Sequence, residues 1–288
     1  MPRPPSPAQV ACSLPADTLV KLLPAHDSAA IYSADAARDP ITHAMLHAFV
    51  TGSFPLQLAS LGIDSTDRVA LLFPNGPELA VAIVAAISHV AIVPLSCDAP
   101  PKEVAYTLRT CSATCVIVFR PPDGISESLQ TVMTDAAACN LLVVEATPHA
   151  SADNADVGSA AVGLFSLRHS CGPVRVAANV PVPPLCAADT ALLLMTSGTT
   201  GNPKAVPHTL GNVIVGCVCI ASGGQLCADD VGCNVMPLFH VGGVMRGVLA
   251  PIVAGGSIVA LPWFDADSFW RAIREHGATH YYASPTIQ

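Results

Sequence analysis

The hydrophobic positions in the first half of the chain form short continuous apolar runs that alternate with segments of helical periodicity. A short apolar run bounded by turn residues is typical of a strand buried on both faces. Such runs occupy residues 68–73, 90–95, 115–119 and 141–145. Helices are predicted between them, over residues 78–89, 101–111 and 126–139. The alternation indicates an α/β fold, in which helices cover both faces of a parallel sheet.

The pattern stops between residues 147 and 185, where Ser/Ala/Asp/Gly-rich and Pro/Val-rich stretches favour a linker or surface excursion. Beyond this interval, strands are predicted at 191–195, 257–261 and 279–283, and helices at 210–221 and 265–276. The predicted organisation is a mobile Pro-rich lead-in (1–24), a first α/β subdomain (25–146), the linker or excursion (147–185), and a second, incomplete α/β subdomain (186–288).

The composition narrows the class of protein. Hydrophobic residues make up 51% and charged residues 12%, which excludes a disordered chain. Lys and Arg total 13 against 21 Asp and Glu, so no nucleic acid is expected as a partner. The apolar stretches at 79–95 and 244–262 are interrupted by proline, so no membrane span is predicted. The 11 cysteines follow no secretory leader and no zinc-ligand spacing, which predicts reduced thiols, an intracellular protein and no metal site.

One segment carries candidate chemistry: Thr-Ser-Gly-Thr-Thr-Gly-Asn-Pro-Lys at residues 196–204, directly after a predicted buried strand. Glycines let a loop turn its N–H groups toward an anion, hydroxyls add donors, and an ammonium adds charge. A solvated turn uses similar residues, but it does not explain why so many positions suited to phosphate follow a buried strand. The spacing differs from that of a Walker loop. The candidate phosphate-binding residues are Thr196, Ser197, Gly198, Thr199, Thr200, Gly201 and Lys204.

This loop resembles the phosphate loop of the acyl-adenylate-forming superfamily, which comprises AMP-forming acyl-CoA synthetases, adenylation domains and luciferases. Met-Pro-Leu-Phe-His-Val-Gly-Gly at 236–243 is similar to a second motif of that family, and residues 68–94 and 283–287 also match its pattern. The resemblance covers about residues 60–288, and small- or medium-chain acyl-CoA ligases, including oxalate–CoA ligase-like proteins, are the most similar members. It departs at Ala205, where the family usually has glycine.

The resemblance implies the large N-terminal domain of an AMP-forming ligase, with parallel sheets flanked by helices, truncated before the small C-terminal domain. The implied reaction has two steps: ATP, with Mg²⁺, activates a carboxylic acid to an acyl-adenylate, and CoA or a phosphopantetheine carrier then accepts the acyl group. The implied roles are contacts to the β- and γ-phosphates for the loop residues, and the boundary of the adenylate and acyl pockets for Phe239 and His240. His240 is the candidate catalytic residue, although taken alone it would suit a core histidine.

Other residues near these motifs have structural interpretations. Asn75, Pro77 and Glu78 are expected to start and cap a helix. Gly242 and Gly243 are expected to be turn residues, and Arg246 is expected to face solvent or form a salt bridge, with contact to a substrate carboxylate as the alternative.

Three hypotheses remain open at this point. The chain is the N-terminal part of an AMP-forming acid–thiol ligase, a non-catalytic nucleotide-binding remnant of one, or another nucleotide-binding enzyme such as one of kinase-like fold; the motif at 236–243 disfavours the third. Because the family's remaining catalytic parts would follow Gln288, the chain alone is expected to be badly impaired in acid activation. A cytoplasmic location is expected, and a peroxisomal one stays open.

Overall fold

The computed structural model describes residues 16–35, 38–149, 161–196 and 203–287. Within these ranges the chain forms two sheets with helices between and around them. The larger sheet has seven strands in the order β7-β6-β5-β3-β4-β8-β9. Its strands are β3 (Arg68–Phe73), β4 (Ala91–Ser96), β5 (Cys115–Phe119), β6 (Leu142–Pro148), β7 (Phe165–Cys171), β8 (Thr190–Thr196) and β9 (Lys204–Thr209).

The smaller sheet has five strands in the order β12-β10-β11-β1-β2. Its strands are β1 (Ala29–Ser33), β2 (Ile41–Thr42), β10 (Val231–Asn234), β11 (Ser257–Ala260) and β12 (His280–Tyr282). Pairing is parallel in the interior of both sheets, and antiparallel strands occur only at sheet edges, where β2, β7 and β9 lie. Parallel interiors agree with the continuous apolar runs of β3 to β6, because both faces of such strands are covered.

Helices connect the strands, with a 3₁₀ turn at Leu19–Leu22 before β1. The α-helices are α1 (His43–Ala48), α2 (Phe54–Ser60), α3 (Pro77–Ile87), α4 (Pro101–Thr110), α5 (Glu127–Ala138), α6 (Leu210–Gly224), α7 (Ala250–Val253) and α8 (Ala266–His276). Two π-helical segments, Phe49–Ser53 and Gly242–Leu249, lead into α2 and α7.

Helix α3 forms the centre of the core. Every residue from Pro77 to Ile87 is buried, and the helix contacts β3 and β4 of the larger sheet and β1 and β11 of the smaller one. A helix that is apolar all round has no face for water, so it is stable only between two layers. The prediction that this helix is buried is therefore confirmed.

The structure differs from the predicted organisation of the segment at 147–185. Residues 165–171 form strand β7, which pairs antiparallel with β6 at the edge of the larger sheet. The following residues pack against the body of the protein: Arg175 forms an ion pair with Asp67 at 2.8 Å, and Leu185 is buried. Strand β7 includes Ser166, Arg168 and Ser170 and has an exposed edge, so it lacks the apolar run that marks the interior strands.

The two sheets also do not follow the predicted division at residue 186. Strands β8 and β9 complete the larger sheet, whereas β1 and β2 join the smaller sheet beside β11. Within the described ranges, no helix is long and apolar enough to cross a membrane. Ten cysteines in those ranges carry free thiols.

Candidate functional site

The segment predicted to bind phosphate connects two antiparallel strands. Thr196, the last residue of β8, pairs with Lys204, the first residue of β9, and the Thr196 hydroxyl donates to the Lys204 carbonyl oxygen at 3.4 Å. The five candidates between these strands, Ser197, Gly198, Thr199, Thr200 and Gly201, lie outside the described residues. The structure therefore places the two ends of the predicted loop next to each other at one end of the larger sheet.

The ammonium of Lys204 is available to an anion. Lys204 is exposed, and it forms no ion pair with the residues that the structure describes. Because no carboxylate of that set neutralises it, its positive charge is free to attract a phosphate. Thr196 is also exposed, so its hydroxyl can reorient toward a ligand.

A tyrosine from a helix holds the backbone directly before Lys204. Tyr106 in α4 donates its hydroxyl to the carbonyl oxygen of Pro203 at 3.1 Å. This contact joins residues 97 positions apart, and α4 packs against β9. The sequence offers no signal for Tyr106, because an aromatic residue within a helix usually serves packing.

Phe239 and His240 lie in the turn that follows β10 and precedes the π-helical segment Gly242–Leu249. Their ring centroids are 4.7 Å apart; Phe239 is half-buried and His240 is exposed. The His240 N–H donates to the Pro237 carbonyl oxygen at 3.2 Å, and its carbonyl accepts from Val244 at 3.0 Å. His240 is therefore not a core histidine, and its imidazole is accessible to a ligand.

Two asparagine side chains fix the backbone of this turn. The buried Asn234 donates to the Met236 carbonyl oxygen at 3.1 Å and accepts from the Met236 N–H at 3.2 Å. Asn75 accepts from the Leu238 N–H at 3.0 Å. The expectation that capping explains Asn75 is wrong, because the N-cap of α3 is Gly76, and the Asn75 side chain instead reaches a turn 163 residues away.

Capping also does not fully explain Glu78, which lies in the first turn of α3. Its carboxylate is buried and forms an ion pair with Arg38 at 2.5 Å. A buried carboxylate needs such a partner, because an isolated charge in the core is costly. Pro77, in contrast, occupies the first helical position, as predicted.

Gly243 is required by packing rather than by a turn. A Cβ at this position would lie 2.1 Å from the Pro237 carbonyl oxygen, which is a backbone atom and cannot move aside easily. Gly242 differs, since a Cβ there would meet only the Met236 Cε at 3.7 Å.

Arg246 stacks on the ring of Tyr282 with its Cζ 4.7 Å from the centroid, a cation–π contact that the sequence did not predict.

A cleft of about 330 Å³ opens beside Phe239. Its walls come from the segments that follow β3, β4, β10 and β11, and they include Asn75, Ser96, Pro237 and Phe264. In open α/β sheets, ligands bind in crevices outside the carboxyl ends of the strands, where this cleft lies. Cys97 also lines it, but burial and the neighbouring Asp98 charge raise the pKa of that thiol to about 11, so it stays protonated near neutral pH.

The cleft and the ends of the predicted phosphate loop lie at the same end of the larger sheet, where its parallel strands β3, β4 and β8 end. Strands β4 and β8 are parallel neighbours that pair at Ile92 and Leu192, so both run toward the same end of the sheet. Ser96 ends β4 in the wall of the cleft, and Thr196 ends β8 where it pairs with Lys204. The fold thus places Thr196 and Lys204 at the same end of the larger sheet as the cleft that Phe239 lines. Within the described ranges, no three His, Cys, Asp or Glu side chains converge as metal ligands.

Comparison with known proteins adds the family context. A family model described as "AMP-binding enzyme" matches residues 30–288. The chain is 34% identical over 251 residues to the probable CoA ligase CCL9 of Humulus lupulus, and 30% identical over 250 residues to the oxalate–CoA ligase of Arabidopsis thaliana. Each alignment covers 86% of this chain and 44% or 45% of the relative, so the chain spans under half the length of these curated relatives.

Solved structures show the same fold. A Brucella canis acyl-CoA synthetase matches with a TM-score of 0.73 at 20% identity, over 97% of this chain and 50% of that one. ATP-bound MatB from Rhodopseudomonas palustris matches with a TM-score of 0.69 at 24% identity, over 94% of this chain and 50% of that one.

Proposed function

The chain belongs to the AMP-binding enzyme family, and from that membership we propose that it supplies the nucleotide-binding part of an AMP-forming carboxylic acid–thiol ligase. The observation that carries the proposal is that the Thr196–Lys204 hairpin end and the cleft lie at the same end of the larger sheet, where its parallel strands β4 and β8 end. The ligase relatives support the reaction class. Their names give different acids, namely oxalate, sulfoacetate and long-chain fatty acids, so the proposal specifies no acid.

The proposed reaction has two displacements. In the first, an acid carboxylate oxygen attacks the α-phosphorus of ATP, the bond to the bridging oxygen of the β-phosphate breaks, and pyrophosphate leaves. In the second, a thiol of CoA or of a carrier phosphopantetheine attacks the acyl carbon and releases its proton to solvent, and AMP leaves with the electron pair of the broken C–O bond. Both steps depend on positioning and on neutralising phosphate charge.

The hairpin end is proposed to hold the leaving phosphates. Lys204 would place its ammonium on the β- and γ-phosphates, where negative charge grows as pyrophosphate departs. Thr196 would donate its hydroxyl, and the sequence between them, Ser197, Gly198, Thr199, Thr200 and Gly201, would add hydroxyl and backbone N–H donors. Tyr106 would keep the backbone before Lys204 in place.

Phe239 and His240 are proposed to bound the acyl and adenylate pockets. Phe239 would shield the reacting carboxylate from water, and the exposed imidazole of His240 would donate a hydrogen bond to a phosphate or carboxylate oxygen. Mg²⁺ would arrive bound to the phosphates of ATP and would neutralise part of their charge. The Cys97 thiol, protonated near neutral pH, would not act as a nucleophile.

The test is ATP–pyrophosphate exchange by the complete protein, measured with a panel of aliphatic, aromatic and dicarboxylic acids. We expect exchange of labelled pyrophosphate into ATP that depends on one class of acid, together with AMP release when CoA is added. ATP binding without exchange for any acid of the panel would contradict the ligase proposal and support a nucleotide-binding remnant. Absence of ATP binding would contradict both.

A further inference from the structure

The turn that carries Phe239 and His240 is tied to the opposite sheet by one side chain. Asn75 lies just after β3 of the larger sheet, and its Oδ1 accepts the N–H of Leu238 at 3.0 Å. Leu238 is fully buried, so in the folded protein its N–H depends on this side-chain acceptor. A buried N–H that loses its partner costs its full desolvation energy, which makes this contact hard to replace.

The other restraints on the turn come from its own side of the molecule. Asn234 holds both polar groups of the Met236 backbone, and the Pro237 carbonyl oxygen accepts the His240 N–H. Among the hydrogen bonds of the described residues, the one from Asn75 is the bond that connects residues 236–240 to the larger sheet. The turn is thus held within itself by hydrogen bonds. Its position against the larger sheet depends on the packing of Leu238 in the shared core and on the hydrogen bond to Asn75, which is the directional contact of the two.

We propose that Asn75 is a positioning residue, which sets Phe239 and His240 at the right place relative to the Thr196–Lys204 hairpin end. The hairpin and β3 both belong to the larger sheet. A hydrogen bond from the turn after β3 to Leu238 therefore fixes the position of Phe239 and His240 relative to the hairpin. This inference rests on the proposed function, since it assigns the hairpin to phosphate and the turn to the acyl boundary. Asn75 acts through the Leu238 backbone, and it does so from a cleft wall.

The first measurement is amide hydrogen exchange of residues 236–243 in the complete protein and in three variants. Asn75→Ala removes the acceptor, Asn75→Asp keeps an acceptor oxygen, and Asn212→Ala removes an exposed amide in α6 as the control. We expect Asn75→Ala to speed exchange of this segment about tenfold or more. Asn75→Asp and Asn212→Ala should stay within about threefold of the wild type. Exchange at the wild-type rate in Asn75→Ala would overturn the proposal.

The second measurement separates positioning from simple loss of structure. In ATP–pyrophosphate exchange, Asn75→Ala should lower kcat about tenfold, while the Kd for ATP, which depends on the hairpin, changes less than about threefold. A parallel loss of ATP affinity and kcat in Asn75→Ala, or an unchanged kcat, would overturn the positioning role.

The outcomes also distinguish this inference from the proposed function. A wild-type protein that binds no ATP would defeat the proposed function, and with it the catalytic purpose of Asn75. The exchange rate of residues 236–243 would still show whether Asn75 holds the turn. A wild-type protein with normal adenylation and an unaffected Asn75→Ala variant would defeat the inference alone.

Discussion

At the scale of single residues, the charge of Lys204 is the feature that most directly tests nucleotide binding. Lys204→Ala removes an exposed ammonium proposed to meet the terminal phosphates, so we expect ATP affinity to fall about tenfold or more. AMP lacks those phosphates, and its affinity should change little. Lys21→Ala removes the same charge from an exposed site near Asp17 and serves as the control in calorimetric titrations. Unchanged ATP affinity in Lys204→Ala would contradict the role of the hairpin.

Tyr106 offers a finer test of the same site. Tyr106→Phe keeps the ring but removes the hydroxyl that reaches the Pro203 carbonyl oxygen. One neutral hydrogen bond contributes about 1 kcal/mol, so we expect ATP to bind about fivefold more weakly, with AMP binding unchanged. Tyr281→Phe, at an exposed tyrosine in β12, is the matched control. An equal loss of ATP and AMP affinity would show a general structural defect instead.

The residues that the sequence identified form a local motif, whereas those it missed contact residues far away along the chain. The pattern at 196–204 is local, so the hydroxyls, glycines and lysine could be recognised from nine consecutive positions. The contacts of Asn75 and Tyr106 join residues 163 and 97 positions apart, and local pattern holds no information on such pairs. Assigning a phosphate-binding role to the loop residues remains a prediction.

At the scale of secondary structure, the start of the π-helical segment provides a matched pair of glycines. Gly243→Ala would place a Cβ 2.1 Å from the Pro237 carbonyl oxygen, so the turn or the helix must move. Overpacking of this kind costs about 1–3 kcal/mol, and we expect a lower melting temperature and faster amide exchange at 236–243. Gly242→Ala meets its nearest atom at 3.7 Å and should be close to neutral. Equal melting temperatures would contradict the packing argument.

In the larger sheet, the strands that the sequence predicted are the interior ones, which are buried on both faces. Strands β3 to β6 have continuous apolar runs because they lie inside the larger sheet, and each was located within a residue or two, apart from the end of β6. Strands β7 and β9 lie at its edges, and β9 is mostly exposed or half-exposed along Lys204–Thr209. An edge strand faces water on one side, so its composition does not differ from that of a loop. Position in the larger sheet thus decided which of its strands could be predicted. The smaller sheet does not follow this rule, because its edge strand β12 was predicted and its interior strands β1 and β10 were missed.

At the scale of the whole molecule, three partly or fully buried histidines affect stability against pH. Burial lowers the pKa values of His43, His149 and His280 from the ordinary 6.5. The unfolded chain therefore binds protons that the folded chain does not, so this stability is present above about pH 6.5 and falls as the pH drops below it.

We expect the melting temperature to fall between pH 7.5 and pH 5.5. His43 is the most informative of the three. The centroids of its ring and the His26 ring are 4.4 Å apart, and its Nε2 lies 3.0 Å from the Gly256 carbonyl oxygen. His43→Gln should flatten the pH dependence, whatever its effect at pH 7.5. The control is His169→Gln, at an exposed position of β7, which should keep the wild-type slope. A melting temperature that rises on acidification would contradict the assignment.

The smaller sheet combines strands from distant parts of the chain, which has a consequence for folding during synthesis. The larger sheet uses strands from one continuous stretch, β3 to β9, and can form as that stretch leaves the ribosome. Strand β1 must wait for β11, because Ile31 pairs with Ile258. At about 5–20 residues per second, β1 stays without its parallel partner for roughly 10–45 s. Strand β2 can pair with one edge of β1 early, but the other edge stays open on the nascent chain, and such an edge is the kind of segment that a chaperone protects until synthesis reaches β11.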